Sequence, residues 1–308
     1  MILTVTLNTA LDITYRVPAL IPHNAHRVTE VRERPGGKGL NVARVLSALG
    51  HESIVTGFVG GPVGAVLRDL LAPLGPHDAL VPIAGTTRRT IAVVDDASGD
   101  TTQLNEPGPT VTAAEWTTFL SAYESLLRDA DAVALCGSLP PGIHVGAYAE
   151  LVRRARAAGV PALLDTSGEP LRRGIAARPD VVKPNADELA QLTGSREPLR
   201  ATRDARRRGA HTVVTSLGPD GVLAATPDGV WQATPPAPLK GNPTGAGDSA
   251  VAGLLSGLVE RLPWPERLAR AVALSAATVL APAAGEFDTA AYEELLPRIT
   301  VTERAAAA

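Results

Sequence analysis

The stretch GNPTGAGDSAVAGLL, residues 241–255, places three glycines, a proline and one carboxylate ahead of an apolar run. Gly245 and Gly247 free the backbone and let a ligand approach it closely. The apolar run predicts a helix, whose first N–H groups are unpaired and whose dipole is positive at this end. A phosphate fits such a position. In the first turn the same field keeps Asp248 ionised and ready to take a proton. Asp is also a preferred helix cap, and on this stretch alone capping is the more frequent explanation.

Outward from this stretch the apolar period switches between strand and helix. ILTVTL, SIVTGFVG, ADAVALC, VPALLD and PDVVKP read as strands, and NVARVLSALG, VGAVLRDLLAPLG, VGAYAELVRRARAAG and ADELAQL as helices, the first of these helices stopping at Gly50. The central strands are continuous apolar runs, the pattern of strands covered on both faces. Strands alternating with helices predict an α/β fold with a mainly parallel sheet between helices. Two pieces break the alternation, about residues 12–34 and about 88–105, the second with a hairpin at DASGD. Both alternate apolar with polar, which predicts a small sheet exposed on one face, a lid on the core. No linker divides residues 1–308, so one domain is expected, with ERAAAA as a frayed end.

The chain has 308 residues, 45% hydrophobic and 20% charged, in the ordinary globular range. A net charge of −3 offers no footprint for nucleic acid. Arg203, Arg206, Arg207 and Arg208 have the spacing of a solvated helix face. The one cysteine, Cys136, excludes an intrachain disulfide and suits a reducing cytoplasm. His23 and His26 lack companion ligands for zinc. The N-terminus has no leader pattern and no run reaches membrane-spanning length, so a cytoplasmic protein without a membrane partner is expected.

Three further motifs bear on chemistry. VVKPNADEL sets Asn185 three residues before Glu188 at a strand-to-helix junction. That is a capping box, or two oxygen ligands for a magnesium shell. TSLGPDGV, with Gly218 and Gly221, is a hairpin turn or a loop against a nucleotide. PGGKGLNVARVL leads a glycine loop into a helix, with Lys38 between glycines and Asn41 in the first turn. A dinucleotide fingerprint is excluded because Val42 follows Gly37 and Gly39 where a glycine is required. A P-loop is excluded because Gly39 follows Lys38.

Taken in order along about residues 1–297, TLNTALD, GGKGLNVARVL, CGSLPPG, VKPNADEL and GNPTGAGDSAVAG resemble the ribokinase-like sugar kinases. Within these they are similar to the phosphofructokinase B-type branch, which acts on sugars already carrying a phosphate. The resemblance implies a three-layer α/β/α core with a β lid, ATP and Mg²⁺, and a homodimer formed through the lid. It implies that Asp248 is the catalytic base and that Gly245, Ala246 and Gly247 form the anion hole. Asn185 and Glu188 organise Mg²⁺ through water, and Lys183, Ser216, Gly218 and Gly221 meet the nucleotide. Asp12, Gly37 and Asn41 contact the sugar, while Lys38, Arg88 and Arg27 hold its phosphate. Lys38 in the glycine loop and Ala25 in the lid point away from fructose 6-phosphate. Fructose 1-phosphate is the expected acceptor and tagatose 6-phosphate the alternative. A kinase for an unphosphorylated sugar and a non-catalytic sugar-phosphate sensor rank below both.

Overall fold

A computed structural model describes residues 1–281 and 285–304. The strand Ile2–Thr6 lies inside an 11-stranded sheet. On one side it pairs with Ser53–Val59, which carries the short strands His77–Asp78 and Val81–Pro82. On the other side Ala132–Cys136, Ala162–Asp165, Val181–Val182 and Thr212–Ser216 follow in turn, all parallel. The direction then reverses through Val222–Thr226, Gly229–Thr234 and Thr300–Arg304. Parallel neighbours need long crossovers, whereas only the short 3₁₀ turn Gly218–Asp220 joins Thr212–Ser216 to Val222–Thr226.

Period-two alternation divides the core between two faces. Ile2, Ala132, Ala134, Cys136 and Leu163 pack under the helices Lys38–Ala48, Ala246–Val259 and Trp264–Val279. Leu3, Val5, Val133, Leu135 and Leu164 face the other way, toward Ala113–Leu127, Ala147–Ala157, Gly168–Ala176, Ala186–Thr193 and Pro198–Arg207. The expected three-layer core is present. Ala132–Cys136 is buried at every residue, as its unbroken apolar run requires.

A separate four-stranded sheet has the order Glu30–Gly36, Ala10–Val17, Arg88–Asp95, Thr101–Asn105. It is the expected lid, with the hairpin where DASGD predicts it. Its strands begin at Ala10 and end at Gly36, beyond the expected limits, and residues 18–29 form no strand. The arginine-rich segment is helical over Pro198–Arg207 as expected. The end of the chain requires a correction. Glu303 and Arg304 pair with Trp231 and Val230 in an edge strand, and residues 305–308 lie outside the described residues. No helix among the described residues is long and apolar enough to cross a membrane.

Candidate active site

The parallel strands end on one edge of the sheet, where open α/β folds bind ligands. Thr6, Cys136 and Asp165 are the last residues of their strands there, and Lys183 follows Val181–Val182. Against this edge stands the helix Ala246–Val259. Gly245 caps it at φ 84°, in the left-handed region, and no side chain covers its first turn. The Ala246 N–H donates to the Pro243 carbonyl at 3.1 Å. Among the described residues nothing accepts from the N–H groups of Gly247 and Asp248. The unused donors at this helix start therefore include Asp248's own amide, while that of Ala246 is engaged.

The Asp248 side chain is buried, and Asn41 Nδ2 donates to its Oδ2 at 2.8 Å. Capping does not account for this aspartate, since no side-chain cap bond forms at the helix start. Burial pushes its pKa from the ordinary 3.8 to about 6; Lys38, Asn41 and Lys183 pull it down and Asp165 adds to the rise. A carboxylate with a pKa near 6 is a base suited to neutral pH.

Asp165, which the motifs do not single out, organises the cations. Lys38 Nζ lies 3.3 Å from its Oδ2 and Lys183 Nζ 3.6 Å from its Oδ1. Asp165 and Lys183 are buried while Lys38 is partly exposed. Burial works against the charge on Lys38, but Asp165, Asp248 and Glu188 outweigh it and hold the ammonium well above its usual range. Lys183 Nζ also lies 3.4 Å from where a Cβ on Gly247 would be. The buried cation thus sits beside the helix start. The sequence signal for Asp165 is a carboxylate ending the apolar strand VPALLD.

Asn185 and Glu188 do form the capping box. The Asn185 N–H donates to Glu188 Oε2 at 2.9 Å and the Glu188 N–H to Asn185 Oδ1 at 2.8 Å. Glu188 also lines a cavity of about 560 Å³ with Lys38, Arg88, Asn8, Ser138 and Gly37. Arg88 is steadied there through Nε to the Asn8 carbonyl at 3.3 Å and Nη1 to the Glu106 carbonyl at 3.2 Å. Its neighbour Arg89 points away and pairs with the Glu106 carboxylate at 3.2 Å. Thr6 Oγ1 and Asn8 Oδ1 are buried without a partner among the described residues, so this wall retains unused acceptors. Asn8 and Ser138 are further additions to the predicted set, joined by Asn8 Nδ2 to Ser138 Oγ at 3.1 Å.

A second cavity of about 750 Å³, beneath the lid, is lined by Asp12, Asn41, Thr90 and the loop Gly241–Thr244. Burial raises the Asp12 pKa from 3.8 to about 6 against Arg88, the Thr90 hydroxyl and Arg44. Gly36 makes room for this carboxylate, because a Cβ there would lie 2.1 Å from Asp12 Cγ. Gly36→Ala should therefore displace the Asp12 carboxyl, as a crystal structure of the variant can check. Gly37 caps the helix Lys38–Ala48. Arg27 is exposed in the connection 18–29 and lines neither cavity.

Asn185, Ser216, Gly218, Gly221, Ala246 and Gly247 line a cleft of about 910 Å³, whose far wall is Val272, Ala276 and Val279. Gly218 opens onto free space, whereas a Cβ on Gly221 would lie 2.0 Å from the Ala233 carbonyl oxygen. Gly221 is glycine because of the neighbouring strand. The turn is both hairpin and cleft wall.

This arrangement has relatives. The chain is 33% identical over 315 residues to a tagatose-6-phosphate kinase of Staphylococcus epidermidis, covering 98% of this chain and 100% of the relative. It superposes on Escherichia coli phosphofructokinase-2 in complex with fructose-6-phosphate with a TM-score of 0.87 and 30% identity, over 96% of this chain and 98% of the other. For a possible 1-phosphofructokinase of Thermotoga maritima the TM-score is 0.86 at 28% identity, over 99% and 100% of the two chains. The model of the pfkB family carbohydrate kinases matches residues 5–290. A helix start with free amides, an aspartate held in its first turn and cations from both core and lid thus sit in a chain that belongs to the pfkB carbohydrate kinases, phosphotransferases acting on an alcohol.

Proposed function

We propose that the chain transfers the γ-phosphoryl group of ATP to a hydroxyl of a ketohexose monophosphate, fructose 1-phosphate foremost, giving a bisphosphate and ADP. The observation that carries this reading is the placement of Lys38. Its ammonium faces Asp165 and Asp248 and lines the same cavity as Arg88. A doubly charged acceptor repels ATP, and cations lining the site offset that repulsion. A neutral sugar has no need of them.

In this reading Asp12 and Asn41 orient the sugar with its hydroxyl toward Asp248. Asp248 takes the hydroxyl proton as the oxygen bonds to the γ-phosphorus and the bond to the ADP oxygen breaks. The N–H groups of Gly247 and Asp248 receive the equatorial oxygens of the migrating group, where fixed donors act without reorganisation. Glu188 suits magnesium as an outer ligand. One oxygen is committed to the Asn185 N–H, and no cluster of three or more metal-binding side chains exists among the described residues. Such an ion would be held mainly by water and nucleotide oxygens, and would supply charge neutralisation between the phosphates. Apolar Val31 and Leu104, 56% and 58% exposed, lie on lid strands and support a homodimer through the lid.

Tagatose 6-phosphate is the second reading, favoured by the name of the Staphylococcus epidermidis relative. ADP release measured with fructose, ribose, fructose 1-phosphate, fructose 6-phosphate and tagatose 6-phosphate tests both. Turnover is expected on a phosphosugar, with fructose 1-phosphate giving the highest kcat/KM. Equal turnover on free fructose or ribose would refute the phosphosugar reading, and no ADP on any member would leave a sensor. Arg88→Ala should raise KM for the phosphosugar about tenfold or more, the scale of one charged hydrogen-bonding group, with kcat and KM for ATP nearly constant. Steady-state kinetics with each substrate varied separate these quantities.

A further inference from the structure

We propose that the chain carries a second anion site, on the opposite edge of the main sheet, for a small molecule bearing two phosphate groups. The hollow encloses about 880 Å³ and is lined by Arg156, Arg178, Arg203, Arg206 and Arg207. It lies where the strands Ala162–Asp165, Val181–Val182 and Thr212–Ser216 begin, whereas the kinase site lies where they end. The volume falls within the ~300–1,000 Å³ of small-molecule sites.

Charge is the first argument. Five guanidiniums lie in this wall with two carboxylates, Asp180 and Asp228, and Asp204 beside it pairs with Arg207 at 3.3 Å, which leaves a formal +2 with His211 neutral. The whole chain is −3, so this concentration runs against the overall balance. Asp180 is partly occupied, since its Oδ2 accepts from the Ala162 N–H at 2.8 Å. Arg206 is fixed at the rim by Nε donating to the His211 carbonyl at 2.9 Å. Arg156 and Arg178 have no ion-pair partner among the described residues.

The backbone supplies a second argument. Arg178 has φ 65°, one of three non-glycine residues with positive φ among the described residues. A long side chain held in that region is strained, and strain of this kind gathers at ligand sites. The turn carries the Arg178 guanidinium to the hollow. Guanidinium forks match phosphate oxygens in pairs, so several of them around one concavity select phosphate groups over a single halide. No Phe, Tyr or Trp side chain lines the wall.

Isothermal titration of metal-free pyrophosphate into the full chain tests this. Lys38→Ala/Arg88→Ala serves as the background, which removes the cations proposed to grip the substrate's phosphate. One saturable site is expected there, weakened about a hundredfold when Arg156→Gln and Arg178→Asn are added, roughly tenfold per guanidinium. Both added changes are at exposed positions, and Asn tolerates positive φ, so the fold persists; thermal denaturation confirms it. Arg207→Gln, also exposed but already paired with Asp204, offers a second probe, with a smaller loss expected than for Arg156 or Arg178. Absence of saturable binding at millimolar pyrophosphate in the background, or affinity unchanged by the added substitutions, overturns the site.

Discussion

Asp248→Asn lowers kcat by roughly 10²–10⁴, the range general-base help supplies, while ATP and the phosphosugar still bind. The amide keeps the shape and can still accept from Asn41 Nδ2, but takes no proton. Wild-type kcat should fall about tenfold per pH unit below about 6, where Asp248 protonates. In the variant this limb leaves kcat but persists in kcat/KM for the sugar, because Asp12 also titrates at about 6. Turnover close to wild type would remove Asp248 from the chemistry.

The same substitution should stabilise the fold at neutral pH. A carboxyl raised from 3.8 to about 6 keeps its proton longer in the folded state than in the unfolded chain. Folding therefore carries no penalty from this group below pH 3.8, and the full penalty above about 6. At about 1.4 kcal/mol per unit the rise corresponds to about 3 kcal/mol. Chemical denaturation at pH 7 should find the Asn variant more stable by up to that amount. The gain should shrink as pH falls through 6 toward 4.

Lys38→Ala is expected to damage both binding and turnover, in contrast to Arg88→Ala. Removing the ammonium deprives the phosphosugar of a cation and raises its KM tenfold or more. It also removes the attraction that holds the Asp248 pKa down and leaves Asp165 to repel a second carboxylate. The acid limb of kcat should then move up by about one to three units. At pH 7 the base becomes largely protonated, and kcat falls with it. A pH–rate series on the two variants decides the point. A Lys38→Ala profile matching that of Arg88→Ala would reduce Lys38 to a phosphate grip.

Much of this architecture is legible in the linear chain because its causes are local. Ala132–Cys136 is a strand covered on both faces, in keeping with five consecutive small or apolar residues that offer water no polar face. Gly245 opens its helix with a left-handed φ that glycine adopts freely. The Asn185–Glu188 capping box joins residues three positions apart, so its hydrogen bonds are one of the two arrangements its spacing allows. The order of the motifs along the chain suffices to place it among the pfkB kinases. Residues 88–105 announce their hairpin by alternation and a tight turn.

What only the tertiary structure decides is which charges share one low-dielectric space. Asn41 meets Asp248 across 207 positions and Lys38 meets Asp165 across 127. Neither partnership leaves a mark in local periodicity. Asp165 reads as the polar end of an apolar strand until Lys38 and Lys183 are brought to it. The arginines near residue 206 read as a solvated face until Arg156 and Arg178 close the hollow beside them. Helix and strand form from neighbours a few residues apart, whereas the pKa of a buried carboxylate depends on every charge the fold carries to it.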